Sequence, residues 1–261
     1  MKPQLVRGTR DFSATAVRKR AFIFDTFKTI FTKYGFDPLE TPAMEELAAL
    51  TGKYGDEGDQ LLFKILNNGD YLKNIQPTEL AQGASGALTA KLSKRALRYD
   101  LTVPFARYVA LNRNALTFPF KRYQIQPVWR ADNPQKGRYR EFYQCDVDVI
   151  GSDSLLYAAE LCQIYDEAFA ALGVKVVIRL NNRKILDGLA QYIGQPDAFG
   201  ALTVAIDKLD KIGWDGVQQE LAQLGIAGAQ FEQVQQVVQA SDLATLRDLY
   251  ADVPVGLEGV T

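Results

Sequence analysis

The stretch of sequence that decides the fold is FKRYQIQPVWRADNPQKGRYREFYQCDVDVIG, residues 120–151. Polar and apolar residues alternate in both of its arms, and successive side chains of a β-strand point to opposite faces. The alternation predicts two strands, each with one polar and one apolar face. The connection between them, residues 131–140, is longer than an ordinary hairpin turn, and loops of this length are usually functional or disordered.

The polar faces of the two arms carry residue types that suit ligand contacts. They comprise Arg122, Gln124, Gln126, Val128 and Arg130 on the first arm and Phe142, Gln144, Asp146 and Asp148 on the second. In a hairpin the two faces adjoin, and the loop adds Lys136, Arg138 and Arg140, which suit an anionic ligand. The simpler interpretation is a half-exposed hairpin whose outer face is only solvated. An aromatic ring, an amide and a carboxylate on one face favour the ligand site.

Charge is unevenly distributed in a chain whose formal net charge is -1. Residues 91–140 contain twelve Lys and Arg against two Asp, whereas residues 181–261 contain five against eleven Asp and Glu. A basic segment within a nearly neutral protein suits phosphates, either of a nucleotide or of an RNA end. The alternative is a set of scattered, solvated charges.

The sequence contains no histidine, which excludes several mechanisms. There is no imidazole for a Ser-His-Asp or Cys-His nucleophile, for an H-E-x-x-H metal site or for a His general base. Gly52-Lys53 is followed by Tyr54, so there is no P-loop, and G-x-G-x-x-G does not occur either. Arginine side chains must therefore hold any ATP. The two cysteines, Cys145 and Cys162, indicate neither a disulfide framework nor a metal site built from protein ligands.

Weaker patterns outline the rest of the chain. Apolar residues recur at helical spacing over residues 14–34, behind Ser13, a residue type that caps helices. Further patterns predict strands at residues 36–41, 61–65, 95–103 and 175–180, and helices at residues 105–111 and 154–171. Short strands with hairpin connections and flanking helices predict an α+β fold built on an antiparallel sheet.

Residues 183–261 change in character and predict a separate helical subdomain. They are rich in Gln and Ala, with helical segments such as residues 217–224 and 231–238. The 261 residues, 47% of them hydrophobic, suffice for one domain and part of a second. No apolar run approaches the about 18 residues that span a bilayer, and the amino-terminal MKPQLVRGTRDF lacks a secretory signal. We expect a cytoplasmic protein without membrane contact.

The helix at residues 14–34 carries apolar side chains around too much of its circumference for a simple surface helix. They are Phe22, Ile23, Phe24, Phe27, Ile30 and Phe31. Either the core takes all of them or a partner subunit covers some of them. We favour the partner subunit, in a twofold homodimer.

Residues 129–144, WRADNPQKGRYREFYQ, resemble motif 2 of the class II aminoacyl-tRNA synthetases, in the form carried by histidyl-tRNA synthetases. Three more stretches resemble the same family. They are LVRGTRDFSATAVRKRAFIFDTFKTIFTKYGFDPLETP at the amino terminus and motif 1, LRYDLTVPFARYVA at the amino-acid-binding strand, and LNNRKILDGL after motif 2. The resemblance covers roughly the whole chain, and it is most specific over residues 7–188.

The resemblance implies a fold and a function. Residues 1–182 are expected to form the first part of a class II catalytic domain, an antiparallel sheet flanked by helices, and residues 183–261 a helical insertion subdomain. Motif 3, a second catalytic arginine and the anticodon-binding domain do not occur in the sequence, so we expect a fragment that is inactive or weakly active alone. The complete enzyme would activate L-histidine with ATP and transfer it to tRNA(His). ATP, with Mg²⁺, is a substrate, and no tightly bound cofactor is expected.

The resemblance also implies roles for individual residues on the ATP side. Arg130 matches the catalytic motif 2 arginine, which contacts the ATP α-phosphate and the amino-acid carboxylate. Asp132 matches the acidic residue near the adenine amino group. Arg138 and Arg140 match phosphate contacts, and Phe142 matches the ring stacked under adenine, although a phenylalanine there also suits an ordinary core.

Further roles concern the amino acid and the tRNA. Asp100 and Thr102 match residues that hold the substrate α-amino group, whereas Gln144 and Asp148 match residues that contact its carboxylate end and its imidazole. Gln135 and Lys136 are expected to lie near the tRNA acceptor end.

Two alternatives stay open at this stage. One is a non-catalytic paralogue with the same fold, the histidine-sensing regulatory subunit of ATP phosphoribosyltransferase. The other is a class II synthetase for another amino acid such as proline or threonine, which the pair Gln144 and Asp148 disfavours.

Overall fold

A computed structural model describes residues 2–53, 55–73, 75–82 and 85–261. The chain divides into two compact units, Met1–Ile178 and Arg179–Thr261. The division lies close to the boundary that the sequence suggests between residues 182 and 183. Tyr54, which follows Gly52-Lys53, lies outside the described residues.

The first unit combines helices with short strands and one long hairpin. Its elements are α1 (Ala14–Lys33), β1 (Asp37–Pro38), β2 (Met44–Glu46), α2 (Leu47–Leu50), α3 (Gly55–Gln60), β3 (Lys64–Ile65), α4 (Pro77–Gln82), α5 (Ser85–Leu92), β4 (Arg95–Leu97), α6 (Thr102–Asn112), β5 (Phe120–Trp129), β6 (Glu141–Ile150) and α7 (Leu156–Ala171). Among the described residues the strands form two three-stranded sheets, in the orders β1-β5-β6 and β2-β4-β3. The predicted α+β class is confirmed, although β1 runs parallel to β5.

Helix α1 begins where the sequence predicts it. The side chain of Ser13 accepts a hydrogen bond from the backbone N–H of Ala16 at 3.4 Å, which satisfies one of the unpaired donors at a helix start. The apolar face of the β5-β6 hairpin packs against α1 and α7. This core contains Ile30, Phe31, Phe36, Ile164 and Ala168, with Tyr123, Ile125, Val147 and Val149 from the hairpin. Each large apolar side chain buried there contributes about 1.5–3 kcal/mol, so this face is fixed and the polar face points away from it.

Several predicted strands are shorter than the sequence suggests. Of the strand predicted at residues 36–41, Asp37–Pro38 pair with another strand. Of the strand predicted at residues 61–65, Lys64–Ile65 do so. The strand predicted at residues 95–103 ends at Leu97, and Thr102 already begins α6. The reason is local, because Asp100 Oδ1 accepts the backbone N–H of Val103 at 3.2 Å and so stabilises the start of a helix.

The strand predicted at residues 175–180 is wrong. Residues 174–182 have no regular secondary structure, and Val177 is 84% exposed. A strand exists only with a hydrogen-bonded neighbour, and no described strand pairs with this segment. Strand β6 has a described neighbour on one side only, so its other side is an open sheet edge among the described residues.

The second unit is helical. Its elements are α8 (Arg183–Tyr192), a 3₁₀ turn (Pro196–Ala198), α9 (Phe199–Asp207), α10 (Leu209–Gln223), α11 (Ala229–Val238), α12 (Leu243–Leu249) and α13 (Pro254–Val260). The helical segments predicted at residues 217–224 and 231–238 fall on α10 and α11, as expected. Helices α8 and α13 approach closely, because a Cβ on Gly188 would lie 2.4 Å from the Cα of Gly256. Across the described residues, no helix has both the length and the apolar character required to cross a membrane.

Candidate active site

The two polar faces of the hairpin adjoin, as the alternation predicts. Strands β5 and β6 pair antiparallel over their whole length. The register places Arg122 opposite Asp148, Gln124 opposite Asp146, Gln126 opposite Gln144 and Val128 opposite Phe142. Directly opposed side chains in such a pair lie on one face of the sheet. The face is therefore basic and amide-rich on one strand and acidic on the other.

Arg122 is the most deeply buried charge on this face, with 0% of its surface exposed. Its Nη2 lies 2.6 Å from Asp148 Oδ2, and its guanidinium lies 4.4 Å from the Phe105 ring centroid. Asp148 Oδ2 is thus ion-paired with Arg122, whereas the Nε and Nη1 of Arg122 have no hydrogen-bond partner. Burying a polar group without a hydrogen-bond partner costs free energy. Unpaired groups of this kind are typical of ligand-binding sites.

Three carboxylates surround this guanidinium. Burial raises the pKa of Asp146 to about 6; the neighbouring Arg122 opposes the shift, whereas Asp148 and Asp100 add to it. Burial also raises the pKa of Asp148, again against the effect of Arg122. The carboxylates exceed the cation that they face, so the cluster favours a ligand with positive charge or N–H donors. No role for Asp146 was predicted from the sequence, although it alternates with Gln144 and Asp148.

A network of hydrogen bonds fixes the side-chain amides of Gln124 and Gln126 on β5. Arg98 is buried, and its Nη1 donates to Thr41 O at 2.6 Å and to Gln126 Oε1 at 2.9 Å. Gln124 Nε2 donates to Thr41 Oγ1 at 2.8 Å and to Gln126 Oε1 at 2.6 Å. The Oε1 atoms of Gln124 and Gln144 have no hydrogen-bond partner and remain as acceptors. Arg98 falls in the strand predicted at residues 95–103, but its anchoring role was not predicted.

Arg130 lies where the hairpin meets the loop, and its guanidinium is tightly held. Its Nε donates to Tyr99 O at 3.1 Å. The guanidinium carbon lies 4.3 Å from the Tyr99 ring centroid and 5.3 Å from that of Phe142. Because both rings and a carbonyl fix the group, little reorganisation is needed for it to meet an anion.

A cavity of about 330 Å³ opens beside Arg130. It is lined by Arg10, Arg130, Asp132, Gly137, Arg138, Tyr139 and Phe142. Three guanidinium groups against one carboxylate make the lining positive. The predicted ATP-binding residues Arg130, Asp132, Arg138 and Phe142 are therefore brought together. Asp132 is buried, and its Oδ1 lies 3.0 Å from Nη2 of Arg138, which is itself largely exposed.

Arg140, the fifth predicted ATP-binding residue, engages the protein backbone and is not among the residues that line this cavity. Its Nε donates to Asp132 O at 2.9 Å, and its backbone N–H donates to Gly8 O at 2.8 Å. These contacts fix the shape of the loop.

The remaining predicted residues fall in three places. Asp100 accepts the backbone N–H of Val103 at the start of α6 and also acts electrostatically on Arg122, Asp146 and Asp148. Thr102 is exposed on the first turn of α6, so it does not belong to the strand predicted at residues 95–103. Gln135 and Lys136 are exposed at the loop tip, where the backbone N–H of Arg138 donates to Gln135 O at 2.9 Å.

The sequence model described as "Histidyl-tRNA synthetase" matches residues 88–223, a stretch that includes the whole β5-β6 hairpin. The chain belongs to the histidyl-tRNA synthetase family. The family resemblance inferred from motif 2 is thereby confirmed.

Known relatives agree with this membership. A histidine–tRNA ligase of Bacteroides fragilis is 54% identical over 99% of this chain, and one of Cytophaga hutchinsonii is 55% identical over the same share. The chain spans 58% of the length of these relatives.

Solved structures are also similar. The crystal structure of histidyl-tRNA synthetase from Nostoc sp. PCC 7120 has a TM-score of 0.80 at 32% identity, and the match covers 100% of this chain and 56% of that one. An ATP phosphoribosyltransferase regulatory subunit/histidyl-tRNA synthetase from Bacillus halodurans C has a TM-score of 0.63 at 19% identity, covering 100% of this chain and 66% of that one; this likeness concerns the fold alone.

Proposed function

We propose that this chain supplies the histidine- and ATP-binding face of a histidine–tRNA ligase, which activates L-histidine to histidyl-adenylate and transfers it to tRNA(His). One observation carries the proposal. Arg130 lines the positive cavity and is also one of the charges that act on Asp146, within the acidic cluster of the hairpin. A single fixed guanidinium therefore joins a site suited to phosphates with a site suited to an amino acid.

The chemistry of adenylation explains the need for this guanidinium. The reaction joins two anions, a carboxylate and the α-phosphate of ATP. An always-charged guanidinium between them neutralises their repulsion and stabilises the negative charge that develops on the pentacovalent phosphorus. The nucleophile is the carboxylate of the substrate itself, so no side-chain base is required. ATP enters as a substrate, accompanied by Mg²⁺.

On the amino-acid side, we assign the acidic cluster to histidine. Asp100 and Thr102 hold the α-amino group, Gln144 contacts the carboxylate end, and Asp148 accepts the imidazole N–H. The excess of carboxylates around Arg122 supports the assignment of the α-amino group and the imidazole N–H, and the side-chain amide of Gln144 has an N–H₂ that can donate to the substrate carboxylate. A site built to pair a donor in this way rejects substrates that lack it, because its buried acceptors would then stay unpaired.

On the nucleotide side, we assign the cavity beside Arg130 to ATP. Phe142 lies under the adenine ring and Asp132 accepts from its amino group. Arg138 and Arg140 contact phosphates, with Arg138 leaving Asp132 as the nucleotide enters. The positive lining and the half-buried ring of Phe142 support the roles of Asp132, Arg138 and Phe142. The role of Arg140, which lies outside this lining, rests on the family resemblance alone.

Further parts of the proposal concern the rest of the protein. Residues 1–182 are the first part of a class II catalytic domain and residues 183–261 its helical insertion subdomain, in a cytoplasmic enzyme. Gln135 and Lys136, exposed at the loop tip, contact the tRNA acceptor end. The enzyme is a homodimer that uses α1, whose Phe22 is 63% exposed and borders an apolar groove with Ile23, Leu172 and Val174.

The test is ATP–pyrophosphate exchange by the protein that contains this sequence, with each amino acid supplied in turn. Histidine is expected to support exchange and the others are not. Exchange with proline or threonine instead would indicate a different class II specificity. Histidine binding without any exchange would favour the sensing paralogue, a regulatory subunit of ATP phosphoribosyltransferase.

A further inference from the structure

The amino-terminal segment, residues 7–12, lies against the loop that follows β5. We call residues 7–12 the clasp and residues 131–140 the anion loop. The backbone N–H of Arg140 donates to Gly8 O at 2.8 Å, and Arg140 Nη1 donates to Arg7 O at 3.5 Å. Arg140 in turn donates to Asp132 O. The clasp is therefore hydrogen-bonded to the carboxyl end of the loop, and through Arg140 to its beginning.

Gly8 makes the closest approach in this contact. It has φ +88, and a Cβ at this position would lie 2.8 Å from Cγ of Arg140 and 2.9 Å from Cγ of Pro134. Carbon atoms do not approach so closely, so any side chain larger than hydrogen would displace the loop. The residue type at this position thus sets the distance between clasp and loop.

Arg10 makes the second contact, through its flat guanidinium. Its carbon lies 3.4 Å from the Tyr139 ring centroid and 5.0 Å from that of Phe12. The stack continues, because the Arg20 guanidinium on α1 lies 4.5 Å from the Phe12 ring and 4.8 Å from the Tyr143 ring. Cation–π contacts of this kind are attractive and favour the stacked arrangement. The stack links the anion loop to α1 and to β6.

Arg10 also lines the positive cavity together with Arg130 and Arg138. Its side chain therefore has two functions at once, holding Tyr139 and adding charge beside the space assigned to the nucleotide.

We infer that the clasp is a positioning element for the nucleotide, with Gly8 setting the place of the anion loop and Arg10 holding Tyr139 beside the phosphates. The inference rests on the proposed ATP site for its functional part, whereas the mechanical part concerns the loop alone. Two experiments separate these parts.

The first experiment measures the order of the loop without any ligand. Trypsin cleaves after Lys136 and Arg138, and mass spectrometry follows the fragments that begin or end there. Gly8→Ala is expected to raise these cleavage rates by about fivefold or more, because the loop opens more often. The control is Gly35→Ala, which imposes the same strain at φ +76 but has no atom within 4 Å of its Cβ. Equal cleavage rates in both variants would overturn the inference.

The second experiment measures ligand affinity by calorimetry on the protein that contains this sequence. Arg10→Ala is expected to raise the Kd for MgATP by about fivefold or more and to leave the Kd for histidine within about twofold. Arg10→Lys keeps the charge but loses the flat stack, so it should recover part of the MgATP affinity. The control is Arg113→Ala, at an exposed arginine that follows α6.

The outcomes separate the positioning role of Arg10 from the proposed ATP site. Equal loss for both ligands, or no loss for either, contradicts the positioning role of Arg10. If the unaltered protein that contains this sequence binds no MgATP, the proposed function is wrong for this cavity, and the trypsin experiment still decides whether the clasp holds the loop.

Discussion

The two compact units differ in what they bury. In the described part of the chain, all the buried polar and charged side chains belong to Met1–Ile178; they are Thr41, Glu45, Ser93, Arg98, Arg122, Gln124 and Asp132. The core cluster of Arg179–Thr261 is apolar apart from Tyr250, whose hydroxyl donates to Ile185 O at 2.7 Å. One unit leaves buried polar atoms unpaired, and the other pairs its buried hydroxyl.

The contrast indicates that the first unit, unlike the second, loses stability to unpaired buried polar groups. An unpaired buried donor or acceptor costs about 1–3 kcal/mol, and natural proteins keep such groups mainly at functional sites. Substitutions in the hairpin are therefore expected to change binding and catalysis strongly, and in one case to raise stability. Substitutions in the helical unit are expected to lower stability and to leave the chemistry of the site unchanged.

The largest effect is expected for Arg130→Ala. Loss of the guanidinium that joins the two proposed subsites should lower ATP–pyrophosphate exchange by about a hundredfold or more, or about 2.7 kcal/mol, by analogy with removing one oxyanion donor. Exchange is measured in the protein that contains this sequence, and the melting temperature shows whether folding is intact. Arg113→Ala is the matched control. Unchanged exchange in Arg130→Ala would remove this residue from the site.

The next largest effect is expected in the helical unit, where α8 packs against α13. Gly188→Ala forces a Cβ against the backbone of Gly256 and should cost about 1–3 kcal/mol of unfolding free energy, measured by urea denaturation. Gly200→Ala is the matched control, because that helical glycine has open space around it and alanine has the higher helix propensity. The control should gain stability. A neutral Gly188→Ala would mean that the close packing of α8 on α13 is not tight.

The third effect is a gain in unfolding free energy, although substitutions of buried residues usually lower it. Because the pKa of Asp146 is raised to about 6, its ionised form is a cost to the folded state at neutral pH. Asp146→Asn should therefore raise the unfolding free energy by about 1–2 kcal/mol at neutral pH, after allowance for its partial exposure.

The pH dependence of Asp146→Asn supplies the sign test. The native state binds this proton more tightly than the unfolded chain, whose aspartate pKa is about 3.9. The gain over the unaltered protein should be full above about pH 7, fall as the pH decreases through 6, and vanish below about pH 4. Urea denaturation at three pH values measures it. A gain that grows towards acid would contradict the burial of this carboxylate. The substitution should also weaken histidine binding several-fold.

The smallest effect concerns the hydroxyl that the helical unit does satisfy. Tyr250→Phe removes the hydrogen bond to Ile185 O and should cost about 0.5–1.5 kcal/mol at an unchanged exchange rate. A large loss of exchange with normal stability would show that the helical unit takes part in the chemistry. It would contradict the expectation that this unit contributes to stability alone.

The sequence predicted the hairpin well, because its two-residue period is a local property. The adjoining polar faces, the capped start of α1 and the positive loop all followed from residue types and spacing. Short strands at residues 36–41, 61–65 and 175–180 were overestimated, because a strand requires a neighbour and neighbours depend on tertiary structure.

The candidate site was predictable in part. The grouping of Arg130, Asp132, Arg138 and Phe142 followed from their similarity to a known motif. The buried network of Arg98 with Thr41 was missed, because Arg98 lies far from Thr41 in sequence and burial of an arginine has no local signal. The contact of Gly8 with Arg140 was missed for the same reason.

The most direct test of the central claim uses a non-hydrolysable analogue of histidyl-adenylate, in which a sulfamoyl group replaces the phosphate. It spans both proposed subsites, so calorimetry on the chain should show binding at least about a hundredfold tighter than that of histidine or AMP alone, and Arg130→Ala should abolish this advantage. Binding no tighter than that of histidine alone would contradict a single site joined at Arg130.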